Sequence, residues 1–217
     1  METKNMAKGL HQIFVSRIMT LIGTILGTLG GSIILAIAMA TVNQDADYNA
    51  AMAGFAGMTA AMSVIFFVGL ALLVLGTIFT LVGLGNASKD DARFKTVLIL
   101  ALISLACSII PSFVQAIPML AQLLRIVSTA LDLVVIMLTI AYAAEALTRK
   151  GRADLAEKGL NIQKLILVII LITLIVDVII IFPTPVTAIL SIVVLILQIV
   201  YWFSFMIFLS KASKALA

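Results

Sequence analysis

Two aspartates stand inside apolar runs long enough to cross a bilayer, and they are the side chains of this sequence best suited to chemistry. Asp132 lies in LRIVSTALDLVVIMLTIAYAAEALTR, about 10 Å of helical rise beyond Arg125. Asp177 lies in the next run, LILVIILITLIVDVIIIF, shortly before Pro183. A carboxylate at such depth costs about 3 kcal/mol or more unless it is protonated, paired or wetted. Two antiparallel helices would bring these acids to a similar depth. Two carboxyls in a low dielectric without two cations do not both ionise at neutral pH, and a close pair titrates as a unit. That chemistry describes a proton or cation site. The competing reading is interhelical glue, with each acid hydrogen-bonded to a hydroxyl or carbonyl for about 1 kcal/mol.

The polar residues around the acids are arranged in stripes. Arg125, Ser128, Asp132 and Thr139 fall within about 40° of one line on a helix, and Thr173 precedes Asp177 by one turn. Thr187, Ser191 and Gln198 form a similar line, as do Ser104, Ser108 and Gln115. Facing one another, these stripes would line a polar seam in the outer half of a helix bundle. Arg125 is about two turns from Asp132, too far for a good pair within one helix, so it is expected to snorkel or to reach an acid elsewhere. The candidate ion, proton or substrate ligands are therefore Asp132, Asp177, Arg125, Thr173 and Gln198.

Other chemistries find little support. The Gly-x-Gly-Asp motif of intramembrane aspartyl proteases is missing, since Thr129-Ala130-Leu131 precedes Asp132 and Leu174-Ile175-Val176 precedes Asp177. The sole histidine, His11, stands in a basic leading segment, and the sole cysteine, Cys107, sits in an apolar one. A disulfide within the chain and a thiolate cluster are excluded. No phosphate loop or nucleophile elbow occurs. We expect no enzyme activity, no cofactor and no metal. Glu145 and Arg149 form an ordinary i,i+4 pair.

The elements that must carry these residues follow from composition. The 217 residues are 63% hydrophobic and 11% charged, with a mean hydropathy of +1.26, well above the roughly 45–50% apolar content of soluble domains. The net charge of +4 clusters between apolar runs, so it reports membrane orientation and excludes a nucleic-acid partner. We expect an all-α, polytopic membrane protein, one integral membrane domain over 1–217, with spans near 18–41, 58–84, 96–114, 125–147, 165–182 and 186–209. The first run is too long for a signal-peptide core and is read as a retained helix. Basic residues precede span one, follow spans two and four, and follow span six. The positive-inside rule then gives three out-and-back hairpins with both termini cytoplasmic, in the plasma membrane. The Pro-x-Asp/Glu-x-x-Lys/Arg signature of mitochondrial carriers, which also have three hairpins, is absent. Pro111 and Pro118 predict a bend or an interfacial turn after the third span.

Gly23, Gly27 and Gly31 recur every four residues, and Gly69, Gly76 and Gly83 every seven. Both rows predict helix-packing surfaces. The expected partners are the lipid bilayer and, through these glycine faces, a second copy or another membrane subunit. Function is expected to be of the transport type (channel, permease or transporter membrane subunit), with a carboxyl pair setting proton or cation dependence. The alternative is a membrane scaffold or assembly subunit that binds other membrane proteins through its glycine-rich faces.

Overall fold

The computed structural model describes residues 3–42, 48–114, 118–179 and 185–217. Within these it describes all side chains except those at 35–42, 48–59, 118, 170, 173–179, 185–192, 194–195 and 198. Every regular element among the described residues is helical. In chain order they are α1 (Lys4–Val42), α2 (Tyr48–Ala87), α3 (Arg93–Ile109), a 3-10 turn (Ile110–Ser112), α4 (Pro118–Arg149), α5 (Ala153–Ile179) and α6 (Pro185–Leu216). Five described stretches are long and apolar enough to cross a membrane: Lys4–Ile34, Ala60–Ala87, Arg93–Ser112, Met119–Arg149 and Ile199–Leu216. The chain is thus a multi-pass helical membrane protein. The expected fifth span, 165–182, falls partly on residues outside the described set.

The helices run past the apolar spans read from sequence. α1 and α2 contain 39 and 40 residues, or about 60 Å each, against a hydrocarbon core of about 30 Å. Hydropathy marks where the solvent changes, whereas the hydrogen-bond ladder continues until a breaker stops it. The breakers here are local. Pro111 sits in the 3-10 turn after α3, and Pro118 opens α4, where its missing N–H leaves no helical bond unmade. α4 ends in a Schellman motif: Gly151 takes φ 75°, its N–H donates to Thr148 O at 3.0 Å, and the Arg152 N–H donates to Leu147 O at 2.9 Å.

The chain divides into two compact units. The first comprises Met1–Phe14 and Leu81–Ala217. In it α4 packs on α3, α5 and α6. Its fully buried residues, among them Leu10, Leu84, Phe94, Leu147, Phe205 and Leu209, gather where α1 begins, α2 ends and α6 ends. The densest described packing therefore lies at the basic end of the helices.

The second unit, Val15–Thr80, is an antiparallel pair made by parts of α1 and α2. A Cβ built on Gly69 would lie 2.6 Å from Gly27 N and 2.8 Å from Gly23 O. One on Gly23 would lie 2.8 Å from Gly69 O, and one on Gly30 3.0 Å from Phe66 N. A Cβ on Gly76 would meet Thr20 Oγ1 at 2.6 Å, and a short hydrogen bond joins the Ser16 and Thr80 hydroxyls. A Cβ on Gly27 would meet nothing within 4 Å, and one on Gly31 only the Phe66 ring at 3.7 Å. On α1 the close contacts run through Ser16, Thr20, Gly23, Gly27 and Gly30, at spacings of four, three, four and three. That is the 3.5-residue period of two helices wrapping each other, from which a strict four-residue row drifts away. Outside this unit, Gly83 approaches Gly9, its Cβ position lying 2.7 Å from Gly9 O.

Candidate functional site

The contact between α3 and α4 is closed by small polar side chains. Ser104 on α3 and Ser128 on α4 are buried at 1% and 6% exposure. The Ser128 hydroxyl donates to Ser104 O at 3.1 Å. The Ser104 hydroxyl lies 3.2 Å from Ser128 O but only 2.5 Å from Asp132 Oδ1, so its single proton is best placed on the carboxylate. Serine suits this position because its volume lets the backbones approach while its hydroxyl satisfies a neighbour.

The polar stripe on α4 straddles the edge of this contact. Ser128 and Thr139 face inward, and the Thr139 hydroxyl donates back to Val135 O at 2.7 Å. Arg125 and Asp132 lie at the other margin of the stripe and are both exposed. Asp132 is the fifteenth residue of α4, about 21 Å from its start and about 26 Å from its end. It therefore sits near the middle of a membrane-crossing helix as an exposed residue whose carboxyl accepts from the buried Ser104. Because α4 begins at Pro118, Arg125 is itself about 10 Å inside the helix. Among the described residues no ion pair joins Arg125 to Asp132. The structure thus brings Asp132 together with Ser104 and Ser128. The side chains of Asp177, Thr173 and Gln198 lie outside the described residues.

A second polar network occupies the basic end. Arg93, at the start of α3, pairs with Asp91 at 2.7 Å and reaches across to Glu145 of α4. Its guanidinium also lies 4.7 Å from the centre of the Tyr142 ring. Glu145 is shared with Arg149, the pair recognised from spacing. Asp90 serves the first turn of α1: it accepts from the Met6 N–H at 2.7 Å and from Asn5 Nδ2 at 2.9 Å. A helix start presents unsatisfied N–H groups and partial positive charge, and Asp90 answers both from a distant loop. Thr3 Oγ1 and Lys150 Nζ both donate to Leu216 O, at 2.7 and 2.8 Å. Thr3, Asp90, Asp91, Arg149 and Lys150 border a small cavity of about 90 Å³. Apart from the Glu145–Arg149 pair, these charges are legible in the sequence only as orientation markers. The partners joined across elements are 52 to 213 positions apart, so spacing could not expose those links.

Asp91 supplies a pH dependence. Hydrogen bonds from Arg93 hold its carboxyl below the usual carboxylate value, against an opposing effect of burial. A depressed folded value means the stabilisation is present above the unfolded carboxylate value of about 3.9 and is lost as pH falls through the folded one. Detergent-resistance midpoints should therefore fall as pH is lowered from about 5 to about 3, and Asp91→Asn should flatten that slope. An unchanged slope in the variant would assign the pH dependence to other acids. Among the described residues no group of three or more His, Cys, Asp or Glu side chains is placed to hold a metal. No protein-family model, curated protein or solved structure matches the chain.

Proposed function

We propose that this chain is a membrane subunit of a transport-type assembly, in which Asp132 meets a proton or small cation at a surface completed by another chain. The observation that carries this reading is an exposed carboxylate near the middle of α4, held in one orientation by Ser104. Ionisable residues at such depth ordinarily face a bundle interior, a water-filled cavity or a partner. Among the described residues Asp132 is exposed, and the wall that would enclose it is assigned to a neighbouring subunit. Asp177, Thr173 and Gln198 on α5 and α6, with Arg125 on α4, remain the further candidates to line the same path. No enzymatic step is assigned.

The glycines weigh on the alternative, a scaffold that docks partners through glycine faces. Gly23, Gly69 and Gly76 are already in contact within the α1–α2 pair, and Gly83 contacts Gly9. The scaffold reading is then better rested on the Ser104–Asp132 face than on these glycines.

The two readings separate in one experiment. The complex extracted in mild detergent should exceed the 23.1 kDa of one chain, and vesicles reconstituted with it should carry proton or cation flux above empty vesicles. Asp132→Asn should abolish most of that flux with the complex intact, and Asp132→Glu should retain part of it. A 23.1 kDa monomer without flux would sink the proposal. A complex that carries no flux and dissociates in Asp132→Asn would move the residue to an assembly contact.

A further inference from the structure

α5 and α6 leave between them an open groove of about 300 Å³ at the basic end of the first unit. Its rim carries Lys158 and Lys211, one from each helix, and both are exposed. Among the described residues neither lysine is in an ion pair. Asp154, one turn before Lys158, feels the charge of that lysine but is hydrogen-bonded to Arg152 Nε at 3.3 Å, and neither Asp154 nor Glu157 lines the groove. Asn161 adds an amide to the same rim. The floor is apolar and fixed. Phe208 is 4% exposed, and its ring packs so closely on Gly159 that a Cβ there would lie 2.6 Å from Cε2.

An apolar track leads away from the lysines. Ile207, Phe203, Val200 and Ile196 are exposed at 55%, 52%, 48% and 55%. Their spacings of four, three and four place them in one stripe on α6, and Lys211 stands one turn beyond Ile207 in the same stripe. Positive charge at one end and a straight apolar track towards the membrane interior match an amphiphile with an anionic head and a long tail. Basic pockets between helices at the membrane surface recognise phospholipid headgroups in this manner.

We propose that the α5–α6 groove binds one anionic phospholipid, with its phosphate between Lys158 and Lys211 and an acyl chain along Ile207, Phe203, Val200 and Ile196. The site is independent of Asp132 and of any transported species.

The test is native mass spectrometry of the full chain in detergent, titrated with phosphatidylglycerol and phosphatidylcholine of identical acyl chains. The wild type should hold one phosphatidylglycerol in preference. Either lysine changed to glutamine should reduce that preference about fivefold, and Lys158→Gln with Lys211→Gln about thirtyfold. Lys158→Arg with Lys211→Arg should keep it, as should Lys164→Gln, an exposed lysine of α5 outside the groove. A wild type that does not discriminate the two lipids overturns the proposal, and so does a glutamine pair that still prefers phosphatidylglycerol. Equal binding of glycerol phosphate without tails would also overturn it, since the track on α6 would then contribute nothing.

Discussion

Gly69→Leu should drive α1 and α2 apart and cost about 3 kcal/mol or more, the upper range for an overpacked contact. The atoms that a side chain at position 69 would meet are backbone: Gly27 N at 2.6 Å, Gly23 O at 2.8 Å and Gly27 Cα at 3.0 Å from the Cβ alone. A side chain can rotate out of the way, but a helix backbone can only translate. Moving one helix relaxes this contact at the expense of its neighbours, Gly30 against Phe66 N and Gly76 against Thr20 and Ser16. The interhelical hydrogen bond between Ser16 and Thr80 would be lengthened as well. SDS titration of the protein in mixed micelles, followed by circular dichroism, measures the loss. Gly85→Ala supplies the contrast, because a Cβ there meets nothing within 4 Å. It should be neutral or stabilising by up to about 1 kcal/mol, from helix propensity alone. Equal midpoints for Gly69→Leu and the wild type would mean that the two helices are not pressed together at this point.

Phe94→Ala should remove about 3–5 kcal/mol, the usual cost of emptying a buried phenyl site. Phe94 is fully buried at the start of α3 and meets the Tyr142 ring of α4 edge-on, with centroids 5.7 Å apart and planes at 71°. Tyr142 in turn lies beneath the Arg93 guanidinium. Truncation would therefore leave a cavity and also loosen the ring that Arg93 covers, next to its link to Glu145. Tyr142→Phe keeps the ring and should cost much less. The same SDS titration reads both. A Phe94→Ala variant within about 1 kcal/mol of wild type would show that the α3–α4 packing collapses into the vacated space.

The parts of this molecule that could be read from sequence are those encoded locally. Apolar runs announced an all-helical membrane chain, Pro111 and Pro118 the break between α3 and α4, and the spacing of Glu145 and Arg149 their pairing. The helix ends were less legible. α1 and α5 begin well before their apolar runs, because Lys, Gln, Glu and Ala continue a helix readily once it leaves hydrocarbon. Asp132 was conspicuous as an acid in an apolar run, yet its serine partner is 28 residues away on another helix. A stripe of four residues on α4 did not tell which of its margins is buried. Ser128 and Thr139 are covered, whereas Arg125 and Asp132, only tens of degrees around the same helix, are not. The glycine rows had a similar ambiguity, since periods of 3.5 and 4 differ little over two turns and select different residues after three.

The hydrogen bond from Thr3 to the carbonyl of Leu216 spans almost the whole chain. Its consequence is temporal. During synthesis α1 emerges before α6, so the acceptor for Thr3 does not exist until α6 has been made. Asp90, which serves the N–H of Met6, is available much earlier. The start of α1 is therefore secured in two stages, first by the loop after α2 and finally by the end of α6. This last bond ties the start of α1 to the end of α6, and it makes the final turn of α6 a poor place for an inserted tag.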